Sequence, residues 1–262
     1  MKLNITVGRA TAVLIGALLV SLVGPARATL VEGFESGTFN GLTEATKGDT
    51  SINTPTFFGI APTQGTHQLV MTTINTGGPD GVQGYSNISG TNAVPVAGAT
   101  GLAAFFGVST SSIRDGLATG QEGSGFTINL GVLTAGSTIT FDYNFLTQEP
   151  PAGGNKDFSF FTLNNTFGGV ITDVAAATFG TPGGPFGSQT QYHTFTINIT
   201  STQNYTLGLG VVDAGSTSTD NSPSALLVDN IQVIVPEPST VAFAIAGAAL
   251  LVVLRSRIKR TS

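Results

Sequence analysis

The stretch Ile139-Thr140-Phe141-Asp142-Tyr143-Asn144-Phe145 alternates large apolar and polar residues over seven positions. A period of two puts one set of side chains on a buried face and the other on a polar face, which is the pattern of a half-buried β-strand. The pattern recurs outward in both directions. Phe126-Thr127-Ile128-Asn129-Leu130 carries it upstream and His193-Thr194-Phe195-Thr196-Ile197-Asn198-Ile199 downstream. Residues 158–163, 205–212 and 226–235 read as further strands, with weaker ones at 68–73 and 101–108. Between them stand turn-forming segments such as Pro150-Pro151-Ala152-Gly153-Gly154-Asn155 and Thr181-Pro182-Gly183-Gly184-Pro185. No part of residues 29–234 sustains a helical period for long. Many short strands without alternating helices predict an all-β, antiparallel β-sandwich, jelly-roll-like, in one domain.

The two termini are of a different kind. Lys2 and Arg9 precede the apolar stretch 10–23, and Ala26-Arg27-Ala28 places small residues at the two positions that signal peptidase inspects. Residues 1–28 therefore read as a signal peptide with a short signal helix, cleaved after Ala28. At the other end, Val235-Pro236-Glu237-Pro238-Ser239-Thr240 is a stiff spacer, because proline fixes its own φ and restricts the residue before it. An uncharged apolar run, 241–254, follows it, and then Arg255, Arg257, Lys259 and Arg260. This predicts a C-terminal transmembrane helix at about 240–254. At about 1.5 Å per residue it is short against a hydrocarbon core of roughly 30 Å, and the basic end stays cytoplasmic.

Charge separates along the same boundaries. The whole chain carries −5, but only Lys47, Arg114 and Lys156 lie in residues 29–235 to face fourteen carboxylates, giving 3 − 14 = −11 there. Such a unit repels nucleic acid and attracts divalent cations. Nucleic acid is excluded as a partner. With no cysteine there is no disulfide framework and no thiolate site, and with no Trp and seventeen Phe the core is built on phenylalanine.

The tail, with its Pro-Glu-Pro, apolar helix and Arg-rich end together, resembles the PEP-CTERM sorting signal of Gram-negative bacteria. The resemblance makes residues 235–262 the sorting signal, with Val235, Pro236, Glu237, Pro238 and Ser239 as the motif. It implies processing by an exosortase, an integral-membrane cysteine protease or transpeptidase, after transient anchoring in the inner membrane. The end point is the cell surface or the biofilm matrix. Residues 57–69, 139–149 and 224–230 are similar to segments of the extracellular domains of PEP-CTERM proteins, which bears on fold and location more than on activity.

Val31-Glu32-Gly33-Phe34-Glu35-Ser36-Gly37 and Leu227-Val228-Asp229-Asn230-Ile231-Gln232-Val233 are similar to the first and last strands of jelly-roll carbohydrate-binding modules. In those modules the two strands are neighbours, and a carboxylate from each holds a structural calcium. Carried over, Glu35 and Asp229 are the ligands. The bland alternative is that backbone N–H groups satisfy both. Asp213 and Asp220, in one loop, form a weaker second calcium pair. Extracellular polysaccharide is the expected ligand of a carbohydrate-binding module, yet the aromatic platforms such modules use are reduced here to Phe and four tyrosines, Tyr85, Tyr143, Tyr192 and Tyr205. Catalysis has less support. His67 and His193 read as strand-surface residues, and Asp142, Glu149 and Asp157 are grouped around what reads as one hairpin without a defined cleft. The expectation is a non-enzymatic surface or matrix protein, with carbohydrate binding as the alternative.

Overall fold

The computed structural model describes residues 27–41, 43–53, 57–76, 86–116, 118–150, 156–180, 182–214 and 222–235. Thr29–Val233 form one compact unit. The signal peptide except Arg27 and Ala28, the Pro-Glu-Pro motif after Val235, the apolar tail, Tyr85 and Asp220 lie outside the described residues. Among the described residues no helix is long and apolar enough to cross a membrane.

Two antiparallel sheets make the sandwich. The seven-stranded sheet runs β12 (Ser188–Gln189), β9 (Thr138–Thr147), β15 (Ser224–Val235), β4 (Gln68–Thr72) and β3 (Asp49–Asn53). In it β1 (Arg27–Glu32) also pairs with β15, and β13 (His193–Asn198) with β9. The six-stranded sheet runs β11 (Thr166–Asp173), β10 (Phe158–Leu163), β14 (Gln203–Asp213), β8 (Glu122–Leu133) and β2 (Glu44–Lys47), with β5 (Val94–Pro95) also on β8. A separate ribbon joins β6 (Arg114–Asp115) and β7 (Ala118–Thr119). The β10–β11 turn is Asn164-Asn165, both at positive φ (50° and 58°), the backbone that a two-residue hairpin demands and that Asn tolerates.

Alternation sorts each strand's side chains between three apolar layers. On β15, Leu226 and Val228 enter the central layer between the sheets, whereas Ala225 and Leu227 face outward. On β14, Leu207, Leu209 and Val211 enter that central layer too, beside Phe34, Phe126, Phe141 and Phe145. The outer face of the seven-stranded sheet is covered by Phe57, Phe58, Ile60 and Phe186. The outer face of the six-stranded sheet is covered by helix α1 (Leu102–Phe106) together with Val96 and Ile113.

Helix α1 corrects the expectation of a strand at 101–108. Ala103 and Ala104 favour helix, and Gly107 closes it in the left-handed conformation at φ 67°, donating its N–H to Ala104 O at 3.2 Å. The helix is too short to display a period. The sheet under it is cleared by glycine: a Cβ on Gly125 or Gly208 would stand 2.5 or 2.7 Å from the Phe106 ring. Besides the two-residue strands β5, β6, β7 and β12, the strands β2, β3 and β11 carry no alternation that announces them. A second correction concerns 142–157. Strand β9 belongs to one sheet and β10 to the other, so the segment crosses between sheets and is not a hairpin.

Candidate functional site

Strand β15 contains an irregularity that creates the first site. Leu226 and Val228 point inward, and so do Ile231 and Val233, which requires one extra residue at Asp229-Asn230. Asn230 takes it up at φ 54°. This is the geometry of a β-bulge, and it turns Asp229 and Asn230 both away from the core. Asp229 is nonetheless fully buried, because the strap Thr63–His67 lies over it. Its Oδ2 accepts from Gln64 N at 2.7 Å and Thr63 Oγ1 at 3.1 Å, and its Oδ1 from Asn230 N at 2.7 Å. On the neighbouring β9, Asp142 accepts from Thr63 Oγ1 (2.9 Å), Asn230 Nδ2 (3.1 Å) and Thr194 Oγ1 (2.7 Å).

The other end of the strap is held by Glu35. Glu35 stands in a turn just after β1, where the sequence suggests a strand. Its oxygens accept from Thr66 N at 3.0 Å, Thr66 Oγ1 at 3.1 Å and His67 N at 3.1 Å, with His67 Nδ1 3.7 Å away. The Thr66 and His67 amides hold its carboxyl below the usual range. Burial pushes Asp229 above it, against the opposing donors of Gln64 and Asn230. Gly65 permits the approach: it sits at φ 62°, and a Cβ there would be 2.2 Å from the Glu35 carboxyl. Beside the strap, Tyr192 donates its hydroxyl to Gln68 Oε1, and burial, with Asp229 and Asp142 adding, raises its phenol. Glu35 and Asp229 are thus joined through one strap, whose backbone amides and threonine hydroxyls donate to both. Sequence pattern alone does not place Asp142 or Thr63 here. The Thr-Gln-Gly-Thr spacing around Gly65 is the available signal.

A second carboxylate group gathers at the start of β15, where β9 ends and β10 begins. Glu149, Asp157 and Asp213 are 5%, 0% and 2% exposed. Asp157 N donates to Glu149 Oε2 at 3.1 Å, and Ala214 N, next to Asp213, donates to Asp157 Oδ1 at 3.0 Å. Asp157 Oδ2 is buried without a hydrogen-bond partner. Burial first, then the charges of Asp213 and Glu149, push the Asp157 carboxyl well above its usual range. So Asp213 meets Glu149 and Asp157, residues that the sequence pattern groups elsewhere. Asp142 does not join them; it belongs to the strap.

The third feature is an open cleft of about 640 Å³ lined by Ser111, Ser112, Arg114, Gly116 and Phe167. It offers hydroxyls, a guanidinium and a ring. Of the aromatic residues, Phe179 is 46% exposed, beside Gln189, with which it exchanges two backbone hydrogen bonds of 3.1 Å. Tyr143 is half-buried on β9 and Tyr205 buried on β14. His193 is exposed at the start of β13, with Nε2 3.1 Å from Thr190 O, and His67 is half-buried against Glu35. Ala28 is exposed on β1, and Val235 is exposed at the end of β15.

No protein-family model matches the chain, and no curated protein matches it. Among solved structures it is similar to the K1 cleaved adhesin domain of Lys-gingipain from Porphyromonas gingivalis W83, at 10% identity and TM-score 0.37, over 81% of this chain and 99% of that one. It is also similar to TmCBM61, solved with β-1,4-galactotriose, at 11% identity and TM-score 0.35, over 77% and 93%. A third is the CBM22-1-CBM22-2 tandem domain of Paenibacillus barcinonensis Xyn10C, at 13% identity and TM-score 0.34, over 83% and 48%. Likeness at this level leaves the ligand of this chain to its own residues.

Proposed function

We propose that this chain is an exported, non-catalytic, jelly-roll-like structural protein of the cell surface or biofilm matrix of a Gram-negative bacterium. Signal peptidase removes residues 1–28, and exosortase recognises the tail while the apolar run holds the chain in the inner membrane. The observation that carries this reading is the order Pro236-Glu237-Pro238, uncharged run, Arg255-Arg257-Lys259-Arg260. A stiff spacer, a short anchor and a basic stop form a complete sorting device. The −11 charge of residues 29–235 suits a matrix protein that stays soluble until a partner or a cation gathers it.

The experiment is intact-mass spectrometry of the protein from cells with and without exosortase. The expected mass starts at Thr29 and ends near Pro236 to Pro238, and only where the enzyme is present. An intact tail in both strains would overturn the sorting reading and leave 241–254 as a permanent anchor.

Carbohydrate binding is the second reading, and two features favour it. Phe179 presents an exposed ring beside the Gln189 amide, and the cleft sets Arg114 and serine hydroxyls beside Phe167. Ring faces that stack on sugars next to polar groups are the usual elements of such sites. Retention on purified matrix polysaccharide, lost in Phe179→Ala or Arg114→Ala, is the expected result. Equal retention of wild type and both variants would remove this reading.

A further inference from the structure

The carboxylates Glu149, Asp157 and Asp213 come from three separate strand ends. Asp157 has one oxygen held by Ala214 N at 3.0 Å and the other, Oδ2, buried with no donor. Ser224 Oγ lies nearby, but its proton goes to Thr147 Oγ1 at 2.9 Å. A proton on Oδ2, donated toward Ser224 Oγ, is the answer that competes with a bound cation, and a calcium-dependent melt separates the two. Leaving a carboxylate oxygen buried and unmatched beside two further carboxylates is costly. A positive charge is the group that answers both the missing contact and the repulsion.

We infer that Asp157, with Glu149 and Asp213, forms a calcium site that ties the end of β9 to the start of β10 and the end of β14. The donors are all oxygen, which selects a hard cation, and burial with no imidazole or thiolate disfavours zinc. Among the described residues no three His, Asp or Glu side chains already stand at ligand spacing about one point. Ca²⁺ accepts six to eight oxygens in flexible geometry, water included, so the site is completed by water and by movement of the three carboxylates on binding. This site differs from the Glu35 and Asp229 pair, whose oxygens already accept from the strap. It also stands independently of the sorting proposal, because it concerns only the folded unit.

The test is thermal melting and titration calorimetry on the full-length protein, first stripped with chelator and then given CaCl₂. Wild type is expected to bind and to melt about 5 °C higher with free Ca²⁺ at a hundred times Kd. Asp157→Asn is expected to lose the shift and, in chelator, to melt no lower than wild type. Asp229→Asn keeps the calcium shift whatever its starting melting point. If Asp157→Asn does not fold, Glu149→Gln carries the test, with affinity expected to fall at least about tenfold as a charged ligand is removed. Identical wild-type melts in chelator and calcium with no heat of binding would overturn the inference. So would an undiminished response in whichever of these two variants folds.

Discussion

Two buried carboxylates of the sandwich have opposite surroundings. Asp229 is fully buried under the strap and accepts hydrogen bonds from Gln64 N, Thr63 Oγ1 and Asn230 N. Asp157, equally buried, has one oxygen held by Ala214 N and the other held by nothing, with Glu149 and Asp213 as neighbours. Burial alone therefore does not tell what a carboxylate is for. A carboxylate surrounded by donors organises the chain around it, and one left unmatched waits for a charge.

The largest effect that would break this comparison is at Asp229. Asp229→Ala removes the acceptor for two backbone amides and is expected to cost about 3 kcal/mol by urea denaturation. A loss below about 1 kcal/mol would mean that the strap does not depend on it. Gly65→Ala tests the same strap from its other end, and a Cβ forced toward Glu35 at positive φ should cost about 2 kcal/mol. Asp157→Asn, measured in chelator, is expected to shift stability the other way, by a gain of about 1 kcal/mol, because it removes a buried charge that lacks a partner. A loss of the size seen for Asp229→Ala would erase the contrast.

The last contrast is one of pH, at Glu44. Its Oε1 is also buried without a partner, and burial, followed by the nearby Glu32, pushes its carboxyl up from 4.5 to about 7, against the Asn40 amide. The folded chain then holds a proton that the unfolded chain releases. Its contribution to stability is complete below about pH 4.5 and disappears as pH rises through about 7. The melting temperature should fall over that window, and Glu44→Gln should flatten the fall. A wild-type curve that stays level from pH 4.5 to 7 would place Glu44 with the donor-satisfied class.

Much of the strand content is legible in the sequence. The stretches 126–130, 139–145 and 193–199 fall within β8, β9 and β13 apart from Ile199, because period two is a local property. Helix α1 is not legible, since five residues between glycines carry no period and the apolar Phe105-Phe106 pair fits a strand equally well. The strap is hidden too. Its chemistry depends on Gly65 reaching Glu35, thirty residues back, and on Thr63 reaching Asp142 and Asp229, partners that the Thr-Gln-Gly-Thr spacing does not by itself assign. Sequence order pairs Asp213 with Asp220, because reading along one loop does not show that β14 ends beside Asp157. The Asn164-Asn165-Thr166 triplet, which matches a glycosylation acceptor, instead makes the β10–β11 turn.

The position of β15 carries one more consequence. This strand, residues 224–235, lies inside the seven-stranded sheet with β9 on one side and β4 on the other, it also pairs with β1, and it sets Ala225 opposite Thr72. Neither flank of that sheet can be joined to the other until the segment arrives, and a contact so distant in sequence forms late and slowly. A chain made N-terminus first therefore cannot complete this sheet until residues 224–235 have emerged.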